Sequence, residues 1–281
     1  MLGDGGTLFS RAVHRAAAPC FSSAKLSLAR PGAARQSSAA AARMIGFRGR
    51  GEPHGAALLL MLDRLGVSAR TIFDVGANIG ELSIYFARPL PDARVVAFEP
   101  APENIEHFRQ IQALQQPLLD NLEVVSEAVS DRTGTIPMAV GAGLLNATMV
   151  DGGLDRLRGR PETRVVEVPT DTLDGLCERL KVGTIDFLKV DMEGGEPRLA
   201  AAIRALRGRI GVAYVEISSF NTIEAYLELV DAFAEAGLVM AGKKLRPVDD
   251  PGPWLREQLA AFRLLNVWFV DPERLRRDRD R

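Results

Sequence analysis

The segment from Thr71 to Gly80 constrains the fold more than any other part of the sequence. An apolar run there contains Asp74 and passes into a loop with Gly76 and Asn78, and a helical pattern follows at once. Glycines in such a loop let the backbone approach a ligand without a Cβ in the way. The amide groups that open the helix also present hydrogen-bond donors. The segment therefore predicts a strand, a ligand-binding loop and a helix in succession.

The same loop narrows the class of ligand. A dinucleotide fingerprint requires Gly-x-Gly-x-x-Gly, but Asn78 stands where the middle glycine would be, and an acid precedes the first glycine. The ligand therefore needs no pyrophosphate on the loop, and it should offer an amine to a carboxylate. S-adenosylmethionine meets both requirements. An NAD-dependent oxidoreductase is disfavoured because of the missing glycine.

A second carboxylate stands at the end of the next predicted strand. Residues Arg94 to Phe98 have the β-branched and aromatic composition of a strand, and Glu99 follows them. A carboxylate in that position suits hydrogen bonding to a ribose diol. Either Asp74 or Glu99 alone could be an ordinary polar strand end, but the two together favour a nucleoside site.

Strand and helix patterns alternate from about residue 53 onward. Besides the two strands above, the predicted strands are 122–125, 185–190, 212–217 and 264–270, with a hairpin at 133–169 and a helix capped by Asn221 and Glu224. This alternation predicts an α/β fold with a doubly wound parallel sheet, which binds ligands beyond the carboxyl ends of its strands. We expect one domain at 51–271 and a solvated, charged tail at 272–281.

Residues 1–50 differ from the rest of the chain. They are rich in Ala, Ser, Gly and Arg, with Asp4 as the one acid, so they cannot bury enough apolar surface to order themselves. They have the composition of a mitochondrial or plastid transit peptide. The alternatives, which we favour slightly, are a flexible tail or a true start at Met44, and we then expect a cytoplasmic protein.

Charge and hydropathy limit the partners. The formal net charge is −1, which gives no strong attraction to nucleic acid or to a membrane surface. No apolar run reaches the roughly 18 residues that span a bilayer. We therefore expect a small-molecule or glycan-linked partner, without nucleic acid and without a membrane span.

The second unusual segment runs from Ile185 to Glu196. It reads as a buried strand, yet Lys189, Asp191 and Glu193 lie around its end. Buried ionisable groups are costly unless they are paired, so a structural ion pair is one interpretation. The other is a catalytic cluster in which a carboxylate takes a proton from an attacking hydroxyl or ligates a divalent cation.

These motifs together resemble the FkbM family of S-adenosylmethionine-dependent methyltransferases. The resemblance covers about residues 70 to 220 and rests on Phe-Asp-Val-Gly-Ala-Asn-Ile-Gly, Phe-Glu-Pro, Ala-Val-Ser-Asp, Thr-Leu-Asp and Ile-Asp-Phe-Leu-Lys-Val-Asp-Met-Glu-Gly-Gly-Glu. It implies a class I methyltransferase (Rossmann-like) sheet of seven strands, mostly parallel with an antiparallel last strand. It also implies methylation of a hydroxyl on a sugar, glycolipid or polyketide-like acceptor.

The resemblance further implies roles for individual residues. Asp191 and Glu193 would lie nearest the reaction centre. With Lys189 of the same cluster, they are the predicted catalytic residues; no metal site is indicated, although a divalent cation is possible. The methionine part of the cofactor would contact Asp74, Gly76, Asn78 and Gly80 of the glycine loop. Its ribose hydroxyls would bind Glu99. Its adenine would lie beside Ala128 and Val129.

The sequence says less about the residues that would bind the methyl acceptor. Asn146 and Thr148 could offer polar contacts from a mobile lid or belong to an ordinary hairpin tip. His54 is a weak catalytic candidate, and Glu216 could either touch the substrate or form a structural pair. An alternative to the enzyme is a catalytically inactive cofactor-binding or partner protein of the same fold.

Overall fold

The structure, a computed structural model, describes residues 54–115, 119–140, 147–148 and 164–280. The helices are α1 (His54–Arg64), α2 (Glu81–Ala87), α3 (Pro102–Ala113), α4 (Leu173–Arg179), α5 (Ala200–Ala205), α6 (Ile223–Glu235), α7 (Pro251–Ala261) and α8 (Pro272–Arg279). The strands are β1 (Thr71–Val75), β2 (Arg94–Phe98), β3 (Leu122–Val125), β4 (Ala128–Ser130), β5 (Gly134–Val140), β6 (Ala147–Thr148), β7 (Arg164–Thr172), β8 (Ile185–Val190), β9 (Ile210–Ser218), β10 (Val239–Ala241) and β11 (Leu264–Val270). The predicted leader at 1–50, Asn146, and the side chains of His54 and Thr148 lie outside the described part.

The main sheet contains seven of the described strands, in the order β10-β11-β9-β8-β1-β2-β3. Neighbours from β9 to β3 pair in parallel, whereas β11 is antiparallel to both β9 and β10. This confirms the expected class I methyltransferase sheet with its antiparallel last strand.

The register aligns the carboxyl ends of four strands. Val75 pairs with Phe98 on one side and with Val190 on the other, and Val190 pairs with Val215. The residues that directly follow this row lie together at one edge of the sheet; they are Gly76, Glu99, Asp191 and Glu216.

Apolar layers cover both faces of the sheet. Side chains alternate along a strand, so Phe73 and Val75 belong to one buried cluster while Ile72 belongs to the other. Strands that are buried on both faces read as continuous apolar runs, which explains the composition of β1, β2 and β8. The polar residues at the strand ends therefore extend from a closely packed framework.

The predicted hairpin is present as part of a second sheet, in the order β4-β7-β5-β6. Strands β5 and β7 pair antiparallel from Gly134 with Thr170 to Val140 with Arg164. Strand β4 joins β7 in parallel, because the chain reaches it directly from the main sheet after β3. This second sheet brings β4 against the main apolar cluster.

Three details differ from the sequence predictions. Strand β10 and helix α7 were not predicted, because one is only three residues long and the other begins in a Pro-Gly-Pro segment. The predicted capping box of Asn221 with Glu224 is wrong: the side chain of Thr222 caps α6 by accepting from the Ala225 amide at 3.2 Å.

No helix among the described residues is both long and apolar enough to cross a membrane.

The tail after residue 271 forms helix α8, and most of its residues are exposed. Asp271 caps α8 by accepting from the Glu273 amide at 2.7 Å, and proline at the first helical position is favourable. Leu275 is buried, and Arg274 donates to the carbonyl oxygens of Leu65 and Gly66 at 3.0 Å each. Helix α8 therefore packs against the loop between α1 and β1.

Candidate functional site

Asp74 and Lys189 form a buried ion pair at the centre of the sheet edge. They are partners in the register of β1 and β8, and the Lys189 ammonium lies 3.2 Å from Asp74 Oδ1. The same ammonium donates to the Gly76 carbonyl at 3.0 Å and lies 3.4 Å from Asp191 Oδ2. Ser83 donates to the other oxygen of Asp74 at 2.5 Å. The first predicted cofactor residue and the predicted catalytic lysine are therefore one structural unit.

Lys189 stays charged despite its burial. Desolvation acts to lower the pKa of this amine, but Asp74 and Asp191 outweigh that effect, so its pKa lies above its ordinary value. Asp74 is fully buried, and both its oxygens face protein groups. Its predicted contact with the cofactor stays a prediction, since in this structure Asp74 contacts Lys189 and Ser83.

The glycines of the loop are required by packing. Gly76 has a φ of +76°, and a Cβ there would overlap the carbonyl oxygen of Asp191. Gly80 has a φ of +85°, and a Cβ there would overlap the ring of Phe108. The Gly80 amide donates to the Ala77 carbonyl at 2.9 Å, so this donor is already engaged within the protein. Asn78, with a φ of 55°, is partly exposed, and its Oδ1 accepts from the Ile79 amide at 2.8 Å.

Glu99 holds the loop from the neighbouring strand. Its Oε2 accepts from the Asn78 amide at 2.8 Å, and its Oε1 accepts from the Ala101 amide at 2.9 Å and the Asn104 side chain at 3.1 Å. Burial raises the pKa of this carboxyl, although the hydrogen bonds partly offset the rise. A carboxylate has about four lone-pair positions, so three bonds leave room for one more donor.

Ala128 and Val129, the predicted neighbours of adenine, lie on β4 in the second sheet. Both are buried, at 1% and 2% exposure, and both belong to the main apolar cluster. The Thr170 hydroxyl donates to the Ala128 carbonyl at 3.1 Å. Their predicted contact with adenine stays a prediction.

The loop after β8 is fixed by its own hydrogen bonds. Glu196 is fully buried and accepts from the amides of Met192 at 2.8 Å and Gly194 at 3.2 Å. Asn221 donates to the Gly194 carbonyl at 2.7 Å, which ties the loop to the start of α6. These bonds hold Glu193 in the left-handed region, at a φ of 52°. The loop therefore presents Asp191 and Glu193 in a defined arrangement.

Two carboxyl groups at this edge are held partly neutral. Burial, followed by the Asp191 and Glu196 charges, raises the pKa of Glu193 to about 7, against a smaller opposing effect of Lys189. Burial also raises the pKa of Glu216 to about 9, with Asp191, Glu193 and Glu196 adding to the effect and Lys189 opposing it. The edge thus carries more carboxylates than its one amine can neutralise.

The raised pKa values predict a stability that falls with increasing pH. In the folded state Glu216 keeps its proton up to about pH 9, whereas its ordinary pKa is 4.5. The folded state then binds more protons than the unfolded state between these values, and the slope for one proton approaches about 1.4 kcal/mol per pH unit. We expect Glu216→Gln to flatten the pH dependence of the unfolding free energy between pH 5 and 9, measured by urea denaturation with a chelator present.

Glu224→Gln is the control, because Glu224 is an exposed carboxylate on α6. It should leave the pH dependence as in the unmodified chain. An equal pH slope in Glu216→Gln and the unmodified chain would contradict the assignment of the raised pKa to Glu216.

Sequence reasoning missed several residues of the site. Ser83 lies nine positions after Asp74 and one turn into α2, so only the helix geometry returns it to that carboxylate. Glu196 was visible as an acid in the motif, but its amide contacts depend on the turn at Gly194. The structure brings Asp74, Lys189 and Asp191 together. The pair of Lys189 with Asp191 was one interpretation of the sequence, whereas the pair of Lys189 with Asp74 was not predicted.

A comparison with protein-family models identifies the family to which this part of the chain is similar. The model described as the methyltransferase FkbM domain matches residues 74–240, which is more than half of the chain. The match begins at the buried aspartate of β1 and includes the glycine loop, Glu99 and the loop after β8. It therefore covers the whole edge described above.

Curated relatives and solved structures are similar to parts of the chain. Methyltransferase sdnD of Sordaria araneosa is 32% identical over 148 residues, or 44% of this chain and 57% of sdnD. The 2-O-methyltransferase NoeI of Sinorhizobium fredii (strain NBRC 101917 / NGR234) is 26% identical over 169 residues, or 56% of this chain and 67% of NoeI. The crystal structure of methyltransferase FkbM from Methylobacillus flagellatus KT has a TM-score of 0.44 and 12% identity, over 83% of this chain and 58% of that one. The match thus spans less than two thirds of sdnD. By the extent of the domain match, the chain belongs to the methyltransferase FkbM domain family.

Proposed function

We propose that the chain is an S-adenosylmethionine-dependent methyltransferase that acts on a hydroxyl oxygen of a sugar, glycolipid or polyketide-like acceptor. The observation that carries the proposal is the shared edge of β1, β2 and β8, where a glycine loop, Glu99 and the Asp191 loop meet. Membership of the FkbM domain family supports the reaction class. The name of NoeI, a 2-O-methyltransferase, supports oxygen as the acceptor atom.

The donor groups of this edge fit the cofactor. Glu99 keeps one lone-pair position, which suits a ribose hydroxyl, and Asn78 is partly exposed beside it. Asp74 is buried, so we infer that it acts through Lys189 by fixing the Gly76 carbonyl and Asp191. Asp191, whose side chain is 34% exposed, would meet the cofactor and the acceptor directly.

When bound, S-adenosylmethionine supplies an electrophilic methyl group on a sulfonium. The chain's own contribution would be mainly positioning, because a loop fixed by Glu196 and Asn221 keeps Asp191 and Glu193 in place. A pKa of about 7 allows Glu193 to accept a proton from an acceptor hydroxyl near neutral pH. Lys189 would hold the Asp191 carboxylate at its present position.

Calorimetric titration of the full chain with S-adenosylhomocysteine tests the cofactor assignment. We expect micromolar binding that Glu99→Gln weakens about tenfold or more, because removing a hydrogen bond to a charged group costs about 1.5–3 kcal/mol. Thermal unfolding without ligand separates this loss of affinity from a loss of folding.

Asp92→Asn is the matched control, since Asp92 is exposed just before the opposite end of β2. It should leave the affinity unchanged. Binding of NAD in place of S-adenosylhomocysteine would contradict the proposal in favour of an oxidoreductase. Cofactor binding without methyl transfer to any of a panel of hydroxyl acceptors would instead support an inactive cofactor-binding protein.

A further inference from the structure

Three carboxylates converge where β8 and β9 end. Asp191 follows β8, Glu196 lies in the loop after it, and Glu216 lies on the adjacent β9. One oxygen from each lies within 4.8 Å of the others. Like charges at such distances repel, so the cluster needs protons or a positively charged partner.

Glu216 forms no ion pair with any of the described residues. Its side chain is buried, at 7% exposure, and its Oε1 has no hydrogen-bond donor. A buried polar atom without a partner is rare in folded proteins and costs free energy. The buried Glu216 side chain extends toward Asp191 and Glu196, with one of its oxygens within 4.8 Å of an oxygen of each.

The protein groups nearby do not use all the acceptor capacity of the three carboxylates. The Lys189 ammonium contacts Asp191 Oδ2 at 3.4 Å, but it also contacts Asp74 and the Gly76 carbonyl. Glu196 uses Oε1 for two backbone amides, while its Oε2 has only a long contact of 3.4 Å with the Tyr226 hydroxyl. Each carboxylate therefore retains acceptor capacity toward its neighbours.

We propose that Asp191, Glu196 and Glu216 bind a divalent cation of the Mg²⁺ and Mn²⁺ class. Carboxylate oxygens are the ligands that these hard cations prefer. At about 2.1 Å from the ion, two oxygens on opposite sides are about 4.2 Å apart, which agrees with the observed limit of 4.8 Å. The partly exposed Asp191 side chain provides the path by which the cation enters.

The binding of the cation does not depend on the proposed function, but a role of the cation in the reaction rests on that proposed function. Three protein ligands leave positions for water or for an acceptor oxygen in a six-coordinate site. A hydroxyl bound there would have a lowered pKa and would lose its proton more readily. A proton lost from that hydroxyl would go to Glu193, which lies in the same loop and is not a member of the cluster.

Electron paramagnetic resonance of Mn²⁺ tests the site in the full chain. After chelator treatment and dialysis, the protein is titrated with Mn²⁺, whose free signal disappears on binding. We expect one bound Mn²⁺ per chain, displaced by Mg²⁺. Glu216→Gln should weaken the binding at least tenfold, because it removes one charged ligand while keeping the side-chain size. Glu224→Gln, an exposed carboxylate on α6, should bind as the unmodified chain does.

Two results would overturn the proposal: no Mn²⁺ binding by the folded chain at millimolar concentration, or unchanged binding in Glu216→Gln. Thermal unfolding shows that each variant is folded before it is titrated. Calorimetry with S-adenosylhomocysteine on the metal-free chain separates the two proposals. Cofactor binding without Mn²⁺ binding overturns the cation site alone, whereas Mn²⁺ binding without cofactor binding supports the cation site and contradicts the proposed function.

Discussion

We expect Lys189→Met to lower the free energy of unfolding by about 3–5 kcal/mol, because it leaves the fully buried Asp74 without its positive partner. Asp191 also loses its contact with the ammonium at 3.4 Å, and the Gly76 carbonyl loses its donor. Urea denaturation at neutral pH measures the change. S-adenosylhomocysteine binding should weaken as well, since the glycine loop loses one of its fixed points.

A double-mutant cycle tests whether the buried charge causes this effect. Asp74→Asn with Lys189→Met removes both charges, so the double variant should lose less stability than the sum of the single variants. Lys243→Met, at an exposed lysine, should change stability by less than about 0.5 kcal/mol. A small effect of Lys189→Met, or strictly additive single variants, would contradict the role of the ion pair.

The second large effect is expected for Gly76→Ala. A left-handed backbone costs a non-glycine residue about 1–2 kcal/mol, and here the new Cβ would also overlap the Asp191 carbonyl. The loop must therefore move away from β8, which displaces both Asn78 and Asp191. We expect S-adenosylhomocysteine affinity to fall at least tenfold, measured by calorimetry, together with a loss of stability greater than the backbone term alone.

Gly208→Ala is the matched control for the backbone term. Gly208 has a φ of +72°, close to that of Gly76, but nothing lies within 4 Å of the position of its Cβ. It should lose about 1–2 kcal/mol without any change in affinity. Equal losses of stability in the two variants would show that the contact with Asp191 does not matter.

The sequence was sufficient to predict six of the seven strands of the main sheet and the positions of Asp74, Glu99 and Asp191 at strand ends. Acids at the ends of apolar runs, as at Asp74 and Glu99, are visible because they interrupt a pattern. The parallel order of the strands then implies that these ends meet. Family resemblance supplied the antiparallel last strand, which periodicity alone does not distinguish from a parallel one.

Other parts of the site depend on side-chain directions that the sequence does not specify. Asn221 and Thr222 are both good helix caps, and only the structure shows that Thr222 caps α6 while Asn221 binds the Gly194 carbonyl. The carboxylates that lie near Glu216 are determined by the strand that pairs with β9 and by the turn that brings Glu196 to the same edge of the sheet. The ordered tail depends on one buried residue, Leu275, within a strongly charged segment.

The contacts between the glycine loop and the loop after β8 have a consequence for motion. The Asp191 amide donates to the Val75 carbonyl at 3.0 Å, and Lys189 donates to the Gly76 carbonyl, so each loop restrains the backbone of the other. We therefore expect a displacement of one loop to strain these two hydrogen bonds and to shift the backbone of the other. A ligand that binds to the first loop would in this way also alter the geometry of the second.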